Sequence, residues 1–202
     1  VGRAVLIDCR DLTRQAAPLP PGTAVVILDT MTRRGLVDSA YNERRAQCQA
    51  AAAHFKVKAL RDLNMAGFER GAAGLDPVTA RRARHVITEN ARTLAALAAM
   101  RDGDASTLGR LMNQSHASLR DDFEVTNPAL NQMVEAAQAT SGCRGARMTG
   151  AGFGGCAVAL VEAGQAADFA ATVSARYHQV SGRRPTLYVT QPAAGAGRID
   201  FT

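Results

Sequence analysis

A glycine-rich run near the end of the chain limits the folds that this sequence can adopt. Residues 145–160 read GARMTGAGFGGCAVAL, and four glycines fall within six positions: Gly150, Gly152, Gly154 and Gly155. Glycine tolerates positive φ and has no Cβ, so this backbone can approach a ligand closely and aim several N–H groups at an anion. The flanking apolar runs predict short strands at 146–149 and 156–161. The sequence therefore predicts a glycine-rich turn between two strands.

Several interpretations of this turn follow from the residues alone. In a tight β-hairpin the glycines would serve only the turn, whereas in a ligand-binding loop they would also approach a bound molecule. A dinucleotide-binding loop would need a helix after G-x-G-x-x-G, but a second strand is predicted here. A Walker loop would need Gly-Lys-Ser or Gly-Lys-Thr, which is absent. The hairpin and the ligand-binding loop both stay open.

The rest of the chain mixes strands and helices without a regular alternation. Apolar runs predict further strands at 4–7, 23–28 and 186–190. Asp and Pro residues mark helix starts, because Asp accepts free backbone N–H groups and Pro fits the first helical position. The predicted helices begin near Asp38 or Ser39, at Asp76-Pro77, at Asp104, at Pro128 and near Gln165. This order predicts an α+β fold in which helices cover an antiparallel sheet.

The first predicted helix carries a second candidate site. The segment DSAYNERRAQC, residues 38–48, places Tyr41 and Arg45 four residues apart on one face, after a basic loop at the end of a strand. This face is a candidate ligand edge. Alternatively, Tyr41 packs in the core with its hydroxyl bonded to the backbone. Ser115 and His116 do not form a nucleophile pair, because adjacent helical side chains point about 100° apart.

Composition excludes several classes of protein. The chain has 202 residues, and none of its apolar runs reaches the roughly 20 residues that cross a bilayer. The net charge is +6, but the arginines are dispersed and only 4% of residues are aromatic, so a nucleic-acid partner is not expected. The four cysteines and four histidines fit no metal-ligand spacing. We therefore expect reduced thiols in a cytoplasmic protein without a metal site.

Three segments show which family this sequence resembles. The glycine-rich run resembles the third signature motif of GHMP kinases in its galactokinase form. LVDSAYNERRAQCQAA, residues 36–51, resembles the galactokinase segment after the first strand of the C-terminal domain, and NQSHASLRDDFEVTNPALNQMVEAA, residues 113–137, resembles a third galactokinase segment. The tail LYVTQPAAGAGRI is similar to the end of the family's chains. The resemblance implies that residues 1–202 form one GHMP kinase C-terminal domain.

The resemblance implies an activity and assigns residues to it. Galactokinases transfer phosphate from Mg-ATP to the anomeric hydroxyl of galactose, so ATP and Mg²⁺ are expected as cofactors of the full-length enzyme. Tyr41 matches the family's sugar-contacting tyrosine. The loop beside the active site is matched by Gly150, Ala151, Gly152, Phe153, Gly154 and Gly155. No catalytic residue is assigned to this chain, because the family's catalytic aspartate and main phosphate loop precede the point where it starts.

The same resemblance leads to expectations about partners. We expect this chain to lack the N-terminal ATP-binding domain, to have no meaningful kinase activity by itself, and to self-associate through the surface that this domain would cover. Two alternatives stay open: a non-catalytic relative that senses sugar and nucleotide, and a kinase for an amino sugar or another small alcohol. The sequence departs from the family pattern at Met31, Asn127 and Asn131, which stand where other members have Gly, Cys and Asp.

Overall fold

This computed structural model describes residues 3–33 and 37–193. These ranges contain six strands and six α-helices. The strands are Arg3–Ile7 (β1), Arg14–Pro18 (β2), Thr23–Asp29 (β3), Cys143–Met148 (β4), Cys156–Glu162 (β5) and Thr186–Thr190 (β6). The helices are Val37–His54 (α1), Met65–Gly71 (α2), Pro77–Arg101 (α3), Ala105–Asp121 (α4), Pro128–Gln138 (α5) and Ala166–Ser181 (α6).

A four-stranded antiparallel sheet forms the centre of the fold, in the order β4-β5-β3-β6. Alternate residues of β3 and β5 point to one face, where Val26 pairs with Ala159. Helices α5 and α6 cover that face with Met133, Val134, Phe169 and other apolar side chains. On the other face, Leu160 packs with residues of α3 and α4. The predicted α+β fold with helices covering an antiparallel sheet is confirmed.

Helix α4 and strand β4 touch through their backbones. A Cβ atom added to Gly109 of α4 would lie 2.0 Å from the carbonyl oxygen of Arg144. A Cβ atom added to Gly145 of β4 would lie 2.1 Å from the carbonyl oxygen of Gly109. Only a residue without a side chain fits at either position, because carbon and oxygen atoms without a bond between them do not approach so closely. This contact fixes α4 against the sheet.

Strands β1 and β2 form a hairpin that is separate from the main sheet. The sequence prediction missed β2, because RQAAP carries no apolar alternation and ends in proline. Two ion pairs, Arg61–Asp8 at 2.5 Å and Arg10–Asp62 at 2.7 Å, connect the hairpin to the segment before α2. The apolar side chains of Val5, Ile7 and Leu12 are each at least half exposed.

Local signals predicted most of the helices. Asp76 accepts hydrogen bonds from the N–H groups of Val78 and Thr79 and so caps α3, and Asp104 caps α4 through the N–H of Thr107. The seven-residue helix α2 was missed. Not every apolar residue of α3 faces inward, because Leu94 is 62% exposed.

Some predictions fall outside the described residues. They concern the second half of the basic loop, residues 34 and 35, and the tail from residue 194 onward. Helix α1 begins at Val37, close to its predicted start. Within the described ranges, no helix combines the length and the apolar character that crossing a bilayer requires.

Candidate active site

Tyr41 and the glycine-rich turn line the same cavity, although more than 100 residues separate them in the sequence. The cavity has a volume of about 350 Å³. Its walls come from α1, from the end of α4 with the loop that follows it, and from the turn itself: Tyr41, Arg44, Arg45, Cys48, Leu119, Phe123, Val125, Gly150, Ala151 and Phe153. A cavity of similar size lies between the β1–β2 hairpin and α3, away from these residues.

Tyr41 lies at the rim of this cavity. Its side chain is 55% exposed, so the alternative in which it packs in the core is wrong. Its hydroxyl makes no hydrogen bond to any residue in the described part of the chain, which leaves it able to donate and accept. Arg45, one helical turn further, is exposed at the same rim. In the same wall, burial raises the pKa of the Cys48 thiol, so this thiol is uncharged at neutral pH.

The conformation of the turn explains its glycines. Strand β4 ends at Met148 and β5 begins at Cys156, with the N–H of Thr149 donating to the carbonyl of Cys156 at 3.0 Å. Five of the next residues have positive φ: Gly150, Gly152, Phe153, Gly154 and Gly155. Side chains disfavour this region, so the sequence supplies glycine at four of these positions. The turn joins two antiparallel neighbouring strands, which confirms the predicted hairpin. A dinucleotide-binding loop is excluded, because a strand follows the glycines where that loop requires a helix.

Neighbouring segments hold this turn in place. The N–H of Phe153 donates to the carbonyl of Val125 at 2.7 Å. The N–H of Gly155 donates to the carbonyl of Thr32 at 3.0 Å, and the Thr30 hydroxyl donates to the carbonyl of Gly155 at 2.6 Å. The end of β3 and the loop after α4 therefore fix the second half of the turn.

Other N–H groups of the turn are free. Those of Gly150, Ala151 and Gly154 donate to no acceptor within the described ranges. Free backbone N–H groups in a turn carry partial positive charge and suit an oxyanion or a sugar oxygen. The first half of the turn, which faces the cavity, therefore offers donors that the fold does not use.

Two arginines fix the loop that supports the turn. Arg82 is 2% exposed, and its guanidinium donates to the carbonyl of Asp122 at 2.5 Å and to the Glu124 carboxylate at 2.7 Å. Arg44 donates to the carbonyl of Phe123 at 2.7 Å. Together with Arg81, Arg82 lowers the pKa of Glu124 to about 2, so this carboxylate is charged at neutral pH. Val125 in the same loop accepts the hydrogen bond from the N–H of Phe153 in the turn.

Sequence reasoning did not identify Arg82. It lies four residues, about one helical turn, before the apolar Val86, so the helical period was a signal that the two share a face. Its partners in the loop after α4, the carbonyl of Asp122 and the carboxylate of Glu124, lie 40 and 42 residues away, and no local pattern reveals them. Ser115 and His116 have separate partners, Glu89 and the N–H of Met148, as their helical positions predicted.

The chain is similar to known proteins in both sequence and fold. The family model described as GHMP kinases C terminal matches residues 96–179. A galactokinase from Roseiflexus sp. (strain RS-1) is 46% identical over 97% of this chain and 51% of its own length. The crystal structure of Lactococcus lactis galactokinase complexed with galactose has a TM-score of 0.93 and 37% identity, covering 98% of this chain and 53% of that one.

The chain belongs to the GHMP kinases. It carries their C-terminal domain, and it spans about half the length of the galactokinases it matches. A more distant structure, L. major mevalonate kinase in complex with R-mevalonate, shares the fold with a TM-score of 0.55 at 20% identity, over 95% of this chain and 50% of that one. The resemblance to galactokinases therefore extends from the three segments to nearly the whole chain.

The site residues of this GHMP kinase domain can be tested against the cofactors of the family. Free N–H groups at Gly150 and Ala151 fit a phosphate oxygen. Among residues 3–33 and 37–193, no three His, Cys, Asp or Glu side chains gather where they could hold a metal ion. The described residues therefore offer donors for part of a nucleotide but no ligand set for Mg²⁺.

Proposed function

We propose that this chain is the C-terminal domain of a galactokinase, an enzyme that uses ATP to phosphorylate galactose to galactose 1-phosphate. The observation that carries the proposal is the shared cavity. Tyr41 and the glycine-rich turn were assigned to the site from separate motifs, and both line it. The 46% identity to a galactokinase over 97% of the chain supports the assignment of the reaction.

In this proposal the domain positions the sugar and does not supply the base. The Tyr41 hydroxyl binds a sugar hydroxyl, and free N–H groups of the turn bind oxygens beside it. Phosphoryl transfer depends on positioning both substrates and on charge stabilisation, and correct orientation lowers the barrier by several kcal/mol. ATP and Mg²⁺ would be held mainly by a second domain, which would also carry the catalytic aspartate.

Tyr41→Phe tests this role. The change removes one neutral hydrogen bond, so we expect galactose to bind the full-length protein about 3- to 10-fold more weakly. Isothermal titration with and without Mg-ATP measures the effect. Tyr188→Phe is the matched control, because Tyr188 is similarly exposed on β6 and does not line the cavity. Equal affinities for the two variants would show that Tyr41 does not contact the sugar. Turnover of several sugars by the same protein tests the preference for galactose over an amino sugar.

The exposed hairpin supports a domain partner. Val5, Ile7 and Leu12 present apolar surface on β1 and the β1–β2 turn, which a second domain would cover. The 202-residue chain alone is therefore expected to self-associate and to lack galactose-dependent ATP turnover. Light scattering over a concentration series measures the first property. A monomer at every concentration, or turnover by the pure chain, would contradict this part of the proposal.

A further inference from the structure

His116 of α4 is buried against the end of β4 and α5, and the proposed roles above do not use it. Its side chain is 4% exposed. Its Nδ1 atom lies 3.2 Å from the backbone nitrogen of Met148. Since a backbone N–H can only donate, Nδ1 must accept, and the neutral ring carries its proton on Nε2. The hydrogen bond therefore selects one tautomer of this histidine.

The second ring nitrogen of His116, Nε2, has no hydrogen-bond partner within the described ranges, and Asn131 lies nearby. Nε2 of His116 and Oδ1 of Asn131 are both buried, and neither has a hydrogen-bond partner in the described residues. One is a donor and the other an acceptor. The Asn131 side chain is close enough to raise the pKa of His116, although the two atoms do not reach hydrogen-bond geometry.

The Met148 N–H, which donates to His116, lies at the start of the glycine-rich turn. Met148 is the last residue of β4, two residues before Gly150, and its side chain packs with Val125 and Phe153. The second half of the turn is fixed by Val125, Thr32 and Thr30, as described above. His116 supplies the corresponding anchor before the first half, where the free N–H groups lie.

We propose that His116 is a positioning residue that, in its neutral Nε2–H tautomer, fixes the start of the glycine-rich turn. Its effect on turnover rests on the proposed kinase function, whereas its effect on the Met148 N–H does not. The imidazolium form would have no acceptor for that N–H, so protonation of His116 would release the anchor.

The charges around the ring favour the neutral form. Burial, then Arg120 of α4 and Arg147 of β4, lower the pKa of His116 to about 4, against a smaller opposing effect of Asp121. From α5 the ring faces the neutral amide of Asn131. The folded-state pKa of His116 is below the ordinary 6.5. The stabilising contribution of its hydrogen bond with the Met148 N–H is therefore fully present above pH 6.5 and is lost as the pH falls through about 4. Burial lowers the pKa of His85 to about 4 as well. The pH dependence of global unfolding therefore cannot separate the contribution of His116 from that of His85.

Two substitutions of similar size separate anchoring from packing. His116→Asn keeps an acceptor near the position of Nδ1, whereas His116→Leu fills the space without one. In the full-length protein we expect the Met148 amide to exchange about tenfold faster in His116→Leu than in His116→Asn, because only the former loses the hydrogen bond. We also expect kcat/KM for galactose-dependent turnover to be at least about tenfold lower in His116→Leu, because the turn is misplaced.

Nitrogen NMR of the histidine-labelled full-length protein tests the tautomer directly. We expect His116 to show a protonated Nε2 at pH 7. In Asn131→Asp, the carboxylate should raise the pKa of His116 and move the acid limb of the pH–activity profile to higher pH. A protonated Nδ1, or equal Met148 exchange in the two His116 variants, would overturn the proposal. Absence of turnover in the wild-type protein would refute the kinase function while leaving the NMR and exchange tests intact.

Discussion

Replacing Gly109 by alanine is expected to lower the free energy of unfolding by about 3 kcal/mol, although alanine is the better helix former. Helix propensity alone predicts stabilisation of up to about 1 kcal/mol. The new Cβ atom, however, would lie 2.0 Å from the carbonyl oxygen of Arg144, and a backbone atom cannot rotate away. Helix α4 must move off β4 by more than an ångström, and overpacking of this kind costs about 1–3 kcal/mol or more.

Denaturant unfolding of the wild-type and variant proteins measures this effect. Gly164→Ala is the matched control, because Gly164 has no atom within 4 Å of the added Cβ and no positive φ. We expect the control to change the free energy of unfolding by no more than about 0.5 kcal/mol. If Gly109→Ala is as stable as Gly164→Ala, the close contact between α4 and β4 does not exist in solution.

Predictions from the sequence succeeded where the signal was local. The caps at Asp76 and Asp104 and the apolar runs of β3 and β6 gave element bounds within a residue or two of those observed. The contact between Gly109 and Gly145 was not predicted. The need for glycine at each position arises only from the close approach of the helix and strand backbones in the folded protein. Propensity would have marked Gly109 merely as a weak point in a helix.

The candidate site was predicted only in part for the same reason. Tyr41 and the turn were found from their motifs, but whether Tyr41 was exposed depended on what packs over α1. The role of Arg82 depended on the carbonyl of Asp122 and the carboxylate of Glu124 in the loop after α4, whose positions the sequence does not encode locally. Ser115 and His116 have separate partners, as their adjacent helical positions predicted, but the bond of His116 to Met148 became visible only when α4 was placed against β4.

The glycine-rich turn provides a pair of variants that separates backbone conformation from contact. Gly152 has φ +83° and Gly155 has φ +84°, so alanine at either position costs about 1 kcal/mol or more in the left-handed region. The Cβ atom added to Gly155 meets nothing within 4 Å, whereas the one added to Gly152 lies 2.1 Å from the carbonyl oxygen of Val125. Only Gly152→Ala must push the turn away from the loop that Arg82 and Arg44 hold.

We therefore expect Gly152→Ala to lower kcat/KM for galactose-dependent ATP turnover in the full-length protein by about 100-fold, since a displacement of about 1 Å can have this effect. Gly155→Ala should change it only a few-fold, because its strain is similar but the turn stays in place. Steady-state kinetics, corrected for the folded fraction from thermal unfolding, gives the comparison. Equal losses of kcat/KM in the two variants would mean that backbone strain causes the effect and that the contact with Val125 does not contribute to turnover. A large loss confined to Gly152→Ala would instead show that turnover depends on where the loop after α4 holds the turn.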